Sequence, residues 1–373
     1  MSLITLNISE NGSSTASSSQ LSAAYIENKV FAYIFVLLNA PSVICNAGLL
    51  IHYFLYQRKQ PTQCLFPFTI VCLLIVSMLV TGIDLPFVFI PQAIETSYVG
   101  NLHNPESFCI FFHFFDTTLY ILELWLLSLV SYERYLLIFC SNFTQRTRMK
   151  RYFFHYFPVF LMVTFIIIFL FYLHILLPCE NTDVYDPIIK NCKFACFYRK
   201  ASPQLLSAAL IISYTVPVFI ATVLDLLLIG HIVYQKHHML RILAVNSINA
   251  NKRQKMQETW KRTKKLFKQF LPLTILFFIT ELPWALRQAL RTIFPGSLDG
   301  IPVEFEIFLA NLTVIYQLLI VFTIFLNQQE LKSKFRELMK RLWANGRRIL
   351  FRVNRIASLS VQASIIRTTG EHH

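Results

Sequence analysis

Seven apolar stretches of the chain are each long enough to cross a bilayer, whose hydrocarbon core of about 30 Å takes about 20 helical residues. They lie at roughly 31–56, 66–91, 107–139, 155–178, 204–234, 266–293 and 303–326. Charged residues make up 14% of the chain, compared with about 25% in a typical soluble domain. We therefore predict an all-α membrane protein, a seven-transmembrane helix bundle.

The segments outside these spans are polar or basic, and they divide the rest of the chain. We expect an extracellular, glycosylated N-terminus at 1–29 and the seven-span domain at 30–327. A short amphipathic eighth helix at 328–343 is predicted to lie on the anionic lipid of the inner leaflet. The last segment, 344–373, has the composition of a disordered cytoplasmic tail.

Basic residues are distributed unequally between the two sets of loops. With the N-terminus outside, 25 of the 34 Lys and Arg residues fall in the inner segments and seven in the outer ones. This asymmetry obeys the positive-inside rule. The net charge of +14 therefore reflects membrane topology and not nucleic-acid binding. The sequons at Asn7 and Asn11 then lie outside, where glycosylation occurs.

The third span carries a stripe of polar and ionisable residues, formed by Cys109, Asp116, Glu123 and the triplet Glu133-Arg134-Tyr135. At about 100° per residue, Asp116, Glu123 and Arg134 point within roughly 40° of Cys109. An ionisable group is costly in hydrocarbon, so each of these residues is a functional hypothesis by default. We expect this face to line a polar pathway inside the bundle.

These features together resemble the rhodopsin-like family of G-protein-coupled receptors, over about residues 30–343. In that family a cysteine begins helix three, and the arginine of an acidic-Arg-Tyr triplet follows 25 residues later, as Cys109 and Arg134 do here. The resemblance implies a plasma-membrane receptor, not an enzyme, that binds an extracellular ligand and activates a heterotrimeric G protein. The alternative for Arg134 is a simple positive-inside anchor.

The resemblance also implies a disulfide between Cys109 and the second outer loop. We predict Cys196 as the partner, because it lies 21 residues before Pro217, which matches the family's helix-five proline. Cys179 and Cys192 would then pair with each other. Four cysteines allow three pairings, so the other two stay open.

Asp116 stands where amine receptors of this family keep the carboxylate that pairs with a ligand ammonium. The predicted ligand-binding residues are Asp116, Tyr120, Glu281, Trp284 and Asn311. Glu281 replaces the family's helix-six tryptophan, and the usual aromatic cage for an ammonium is not evident. A small neuropeptide is therefore favoured over a biogenic amine. The alternative is that Asp116 pairs internally with His113 or Tyr120.

A central polar site is predicted from two exchanged family positions. Ser77 stands where helix two normally has its sodium-binding aspartate, and Glu123 stands where helix three normally has a serine. The site would comprise Asn46, Ser77, Glu123 and Gln317, with sodium as its only candidate cofactor. The alternative is a protonated Glu123 bonded to a neighbour.

The predicted G-protein switch consists of Glu133, Arg134, Tyr135 and Asp225. Asp225 replaces the helix-five tyrosine that contacts the arginine in active receptors, and an Asp225–Arg134 ion pair would be a stronger active-state latch. The usual acid at the base of helix six is replaced by Thr263, so elevated basal signalling is expected. Serines in the tail make a receptor kinase and an arrestin candidate partners.

Two other functions are disfavoured. A light receptor of this family needs a helix-seven lysine to hold retinal, and residues 302–326 contain none. An ion or proton transporter that uses the buried acids as a relay is the remote alternative. It is disfavoured because the seven spans show no internal repeat.

Overall fold

The structure, a computed structural model, describes residues 18–57, 67–94, 105–139, 153, 156–176, 185–186, 191–192, 202–244, 250–294, 302–327, 333 and 337. The chain divides into a compact unit at Met1–Ile324 and a second unit at Phe325–His373. Every contact discussed below lies within the first unit. The two sequons, the cytoplasmic tail, Cys179 and Cys196 lie outside the described residues. So does the predicted eighth helix apart from Ser333 and Glu337, both of which are helical.

The described residues form helices that confirm the predicted fold class. The α-helices are α1 (Ser18–Gln57), α2 (Pro67–Leu79), α3 (Leu85–Ile94), α4 (Pro105–Phe139), α5 (Phe157–Phe171), α6 (Pro203–Leu210), α7 (Val216–Ala244), α8 (Ala250–Ile293) and α9 (Val303–Asn327). Single π-helical turns at Val80–Asp84 and Ile211–Thr215 join α2 to α3 and α6 to α7, and a third extends α5 over Tyr172–Leu176.

Seven of the helical segments are long and apolar enough to cross a membrane. They are Val30–Phe54, Phe68–Ile90, Pro105–Leu136, Phe157–Leu176, Gln204–Met239, Leu271–Ile293 and Phe305–Leu326, and are called spans one to seven below. Within an apolar window of 18 residues, 67% of the residues of span three are buried, compared with 22% for span one. Span three therefore lies at the centre of the bundle.

The outward faces of the spans carry large apolar side chains. Leu37, Ile44 and Phe160 are each more than 70% exposed. Lipid tails are as apolar as these side chains, so their exposure costs little in a bilayer. The hydrophobic pattern therefore suits the protein to a membrane. How the helices pair depends on contacts between polar groups.

Helix packing centres on span three, which contacts spans two, four and five. Span one is held by polar bonds to two others. The Ser42 hydroxyl donates to the carbonyl of Leu318 at 3.2 Å, and Asn39 Nδ2 donates to the carbonyl of Thr81 at 2.7 Å. Thr81 belongs to the π-helical turn of span two, so the second bond attaches span one to that turn.

The loop between spans four and five contains a small antiparallel hairpin. Strand β1 (Tyr185–Asp186) pairs with β2 (Asn191–Cys192), with Tyr185 opposite Cys192. Strand β1 also contacts α4. The hairpin therefore brings Cys192 to the beginning of span three.

The disulfide joins Cys109 to Cys192, with a Cα–Cα distance of 5.4 Å. The prediction that Cys109 pairs with Cys196 is wrong, and the second predicted pair, Cys179–Cys192, is excluded with it. The prediction relied on the distance along the chain to Pro217. The partner is instead selected by the hairpin register, because two cysteines must approach within about 7 Å between Cα atoms to form a bond.

Candidate functional site

The stripe of span three lies inside the bundle, as its periodicity predicted. Cys109, Asp116, Glu123 and Arg134 are each no more than 3% exposed. At a rise of about 1.5 Å per residue, Asp116 lies about 10 Å below Cys109, Glu123 about 10 Å further, and Arg134 about 16 Å beyond that. The stripe therefore connects three polar layers, here called outer, central and inner.

The interior contains more acidic groups than basic ones. Among the described residues, the buried acids are Asp84, Asp116, Glu123, Glu133, Asp225 and Glu281, while two arginines and no lysine are buried. Arg134 pairs with Asp225, and Arg287 pairs with Glu306. Buried carboxylates need compensation. A cationic ligand, a small cation or protons can supply it in the outer and central layers.

The outer layer contains a pair of carboxyl groups. Asp84, the last residue of the π-helical turn in span two, lies within hydrogen-bonding contact of Asp116. His113 and His174 lie close enough to Asp116 to interact with it electrostatically. This arrangement places one of the two predicted internal partners, His113, near Asp116. The hydroxyl of the other, Tyr120, bonds to Glu281 instead.

The central layer is built around a hydrogen bond between spans three and six. The Tyr120 hydroxyl donates to Glu281 Oε2 at 2.9 Å, and the Tyr120 ring packs on Tyr214 of span five at 5.6 Å. Glu281 lies in electrostatic range of Glu123. The position that carries a tryptophan in the family thus holds a carboxyl group fixed by a tyrosine.

All four residues of the predicted central polar site are buried, at no more than 1% exposure: Asn46, Ser77, Glu123 and Gln317. Gln317 lies next to Glu123, yet neither carboxylate oxygen of Glu123 has a hydrogen bond of normal geometry in the described part of the chain. The side-chain oxygens of Asn46 and Ser77 are also buried without one. Carboxylate, amide and hydroxyl oxygens of this kind fit a small hard cation.

We expect sodium to stabilise the receptor through Glu123. A ligand present at about tenfold its dissociation constant adds about 1.4 kcal/mol, which is about 2 °C in Tm for a chain of this size. The measurement is the Tm of the solubilised receptor when choline chloride is replaced by sodium chloride at constant ionic strength. Glu123→Gln should remove the shift. Glu106→Gln, the same change at an exposed position, should retain it, and an equal shift in both variants contradicts the assignment.

The inner layer connects spans two, three, five and six. The Thr69 hydroxyl donates to Glu133 Oε1 at 2.6 Å, and the Thr274 hydroxyl donates to Asp225 Oδ2 at 2.8 Å. Arg134 Nη1 lies 3.9 Å from Asp225 Oδ1, which is beyond hydrogen-bonding distance. The predicted Arg134–Asp225 pair is therefore present but not closed.

The burial of Arg134 bears on its alternative role. A basic residue that serves as a membrane anchor extends to the lipid headgroups, but Arg134 is 3% exposed and lies among acids. Burial therefore favours the switch over the anchor. The third member of the triplet, Tyr135, stacks on Phe139 at 4.3 Å, and Phe139 contacts His231 of span five at 4.1 Å.

The predicted ligand residue Trp284 already has a cation on its ring. The Arg287 guanidinium lies 5.4 Å from the ring centroid, and the same arginine pairs with Glu306 of span seven. Trp284 therefore helps to join spans six and seven, which weakens its candidacy for an ammonium cage. Asn311 is buried in span seven.

Several residues of the polar layers were missed by reasoning from the sequence. Asp84 is an ionisable residue in an apolar stretch, so the rule that identified Asp116 should also have identified it. Thr69, Thr274 and Tyr316 gave no such signal. Tyr316 is buried and lies in electrostatic range of both Glu123 and Arg134, so it connects the central and inner layers. Only helix packing brings these common residue types to their partners.

Comparison with known sequences agrees with this architecture. A family profile described as "7 transmembrane receptor (rhodopsin family)" matches residues 46–327, which is most of the chain. No curated protein sequence matches the chain.

Proposed function

The chain belongs to the rhodopsin family of seven-transmembrane receptors, and on that premise we propose that its ligand is a small basic peptide. Membership makes it a multi-pass plasma-membrane receptor that responds to an extracellular ligand and signals through G proteins, and not an enzyme. The ligand class is the step that goes beyond membership.

The observation that carries the proposal is the buried carboxyl pair of the outer layer. Asp84 and Asp116 are 2% and 1% exposed and lie in contact with each other. A positively charged ligand group would gain a strong interaction here, because charge-assisted hydrogen bonds in a buried site are about twice as strong as neutral ones.

The surface charge supports a peptide over a small amine. Acidic residues are frequent in or next to the segments that the sequence predicts to be outside: Glu95, Glu180, Asp183, Asp186, Asp299, Glu304 and Glu306. Such a surface attracts a basic peptide and raises its association rate. Amine recognition would favour an aromatic cage, and the ring of Trp284 is already in contact with Arg287.

Orientation is part of the proposal. The basic loop at 236–265 and the Arg134 end of span three are placed inside by the positive-inside rule. The ligand would then enter at the Cys109 end, about 37 Å along span three from Arg134. The polar layers between these ends supply the contacts through which binding would bias the switch.

The test is a signalling screen. Amidated basic peptides and biogenic amines are applied to cells that express the full-length receptor, and guanine-nucleotide exchange is measured. At least one basic peptide should activate the wild type. Its potency should fall about 30-fold or more in Asp116→Asn, because loss of one partner of a buried charge pair costs about 2–5 kcal/mol.

Glu106→Gln is the matched control, since it removes an exposed acid near the same end of span three. It should change potency by less than about threefold, as expected for an exposed charge. Activation by amines alone would replace the peptide proposal with the amine alternative. Peptide activation that is equal in Asp116→Asn would remove Asp116 from the site.

A further inference from the structure

Asp84 gives the outer layer a second carboxyl group, and it is not one of the predicted site residues. It ends the π-helical turn Val80–Asp84 of span two, a turn that contacts α4 of span three. Its side chain is 2% exposed. A carboxyl group that is buried away from both water and lipid needs a specific partner.

The two carboxyl groups of the pair are in different situations. Asp116 interacts with its neighbour His113. Asp84 contacts Asp116, while its own Oδ1 is buried and has no hydrogen bond among the described residues. Asp84 therefore offers an open acceptor oxygen in the outer layer. It lies next to the acid that the proposed function assigns to the ligand.

The closeness of the two acids restricts the shape of a cation that can satisfy both. Two carboxylates in contact repel each other unless a proton or a cation lies between them. One ammonium carries three donors at a single point. A diamine would bring two positive charges within a few ångströms of each other, which is unfavourable. A single ammonium and a diamine therefore both match two adjacent planar carboxyl groups poorly.

A guanidinium matches them better. It is planar, carries five N–H donors in a fixed fork, and spreads one positive charge over three nitrogens. One edge can donate to Asp116 while the other donates to Asp84. Its weaker hydration also makes it easier to transfer to a buried site than an ammonium.

We propose that Asp84 and Asp116 together form a guanidinium site, so that an arginine side chain of the ligand enters the outer layer. This inference rests on the proposed function and deepens it, because it selects arginine over lysine and over simple amines. Asp84 then determines specificity, and Asp116 supplies the charge that any cation needs.

The test uses two small probes with the same body, 4-phenylbutylguanidine and 4-phenylbutylamine, with 1,4-diaminobutane as a dication. Their dissociation constants are measured from the Tm of the solubilised full-length receptor against probe concentration. In the wild type the guanidine should bind about tenfold or more tightly than the amine, as expected for bidentate recognition of carboxylates. The diamine should bind no better than the amine.

The variants separate the two acids. Asp84→Asn should bring the guanidine-to-amine ratio close to one, while Asp116→Asn should weaken both probes. Glu106→Gln should leave the ratio unchanged, and Asp84→Glu, which keeps a carboxyl group, should retain most of it. The readout is a ratio within each variant. A general loss of stability in Asp84→Asn lowers both affinities together and does not imitate the effect.

The possible results distinguish this inference from the proposed function. Equal binding of both probes that depends on Asp116 would overturn the guanidinium site and leave a cationic ligand in place. A guanidine preference that survives Asp84→Asn would also overturn it, as would tightest binding by the diamine. Absence of any binding that depends on Asp116 would overturn both.

Discussion

Replacing Thr274 by valine is expected to raise basal nucleotide exchange about tenfold. The Thr274 hydroxyl donates to Asp225 at 2.8 Å and so ties span six to span five. A hydrogen bond to a charged group contributes about 1.5–3 kcal/mol, and 1.4 kcal/mol corresponds to a factor of ten. In the family that this chain belongs to, activation moves helix six outward. Removal of the tie therefore favours the active state.

The same change also releases Asp225. Its Oδ1 lies 3.9 Å from Arg134 without a hydrogen bond, and without Thr274 the carboxylate can turn to close that ion pair. Asp225→Asn should consequently have the opposite effect and reduce basal exchange below the wild type, because the latch loses its charge. A rise in basal exchange in Thr274→Val together with a fall in Asp225→Asn would show that the two contacts of Asp225 act in opposite directions. The bond to Thr274 would restrain the receptor, and the pair with Arg134 would support the active state.

Thr280→Val is the matched control. Thr280 lies in the same span, but its hydroxyl donates to the carbonyl of Leu276 in its own helix. Exchange is measured in membranes that contain equal amounts of receptor, as judged by an epitope tag. The model of two opposing contacts is rejected by a Thr274→Val receptor with wild-type basal exchange, or by a rise in Asp225→Asn.

Replacing Cys192 by serine is expected to destabilise the receptor by about 2–5 kcal/mol, the usual contribution of a native disulfide. The bond closes a loop of 83 residues between Cys109 and Cys192. For a chain of this size, the Tm of the solubilised protein should fall by about 3–6 °C. Surface expression should fall with it, because the hairpin loses its attachment to span three.

Cys196→Ser is the informative comparison, since spacing alone selected Cys196. It should leave the Tm near the wild-type value, and Cys109→Ser combined with Cys192→Ser should be no worse than either single variant. A large Tm loss in Cys196→Ser with a normal Cys192→Ser would assign the bond to Cys196 after all.

The fold and the face of span three follow directly from the sequence because each depends on a simple periodic property. Seven apolar stretches can satisfy their backbone groups in lipid only as helices. Cys109, Asp116, Glu123 and Arg134 recur at helical spacing, so one rotation places all of them toward the interior. The partners of that stripe on other helices cannot be predicted in this way. They depend on which residues the neighbouring helices turn toward the interior.

The disulfide and the Thr274–Asp225 bond show why the rest was not predictable. Pairing of Cys109 depends on the register of a two-stranded hairpin, and no local pattern in a loop of that kind fixes the register. Thr274 is an unremarkable hydroxyl residue in an apolar span. Its role comes from the packing of span six on span five, which a single sequence does not encode in any periodic signal.

The π-helical turn at Val80–Asp84 determines which face of span two Asp84 occupies. Such a turn holds one more residue than the α-helical turn it replaces. If the same five residues were wound as an ordinary α-helix, the residues after them would be rotated by on the order of 90° relative to Ser77. Asp84 would then leave Asp116 without any change of side chain. The wider turn is thus what gives the outer layer two acids, where a regular helix of the same sequence would give it one.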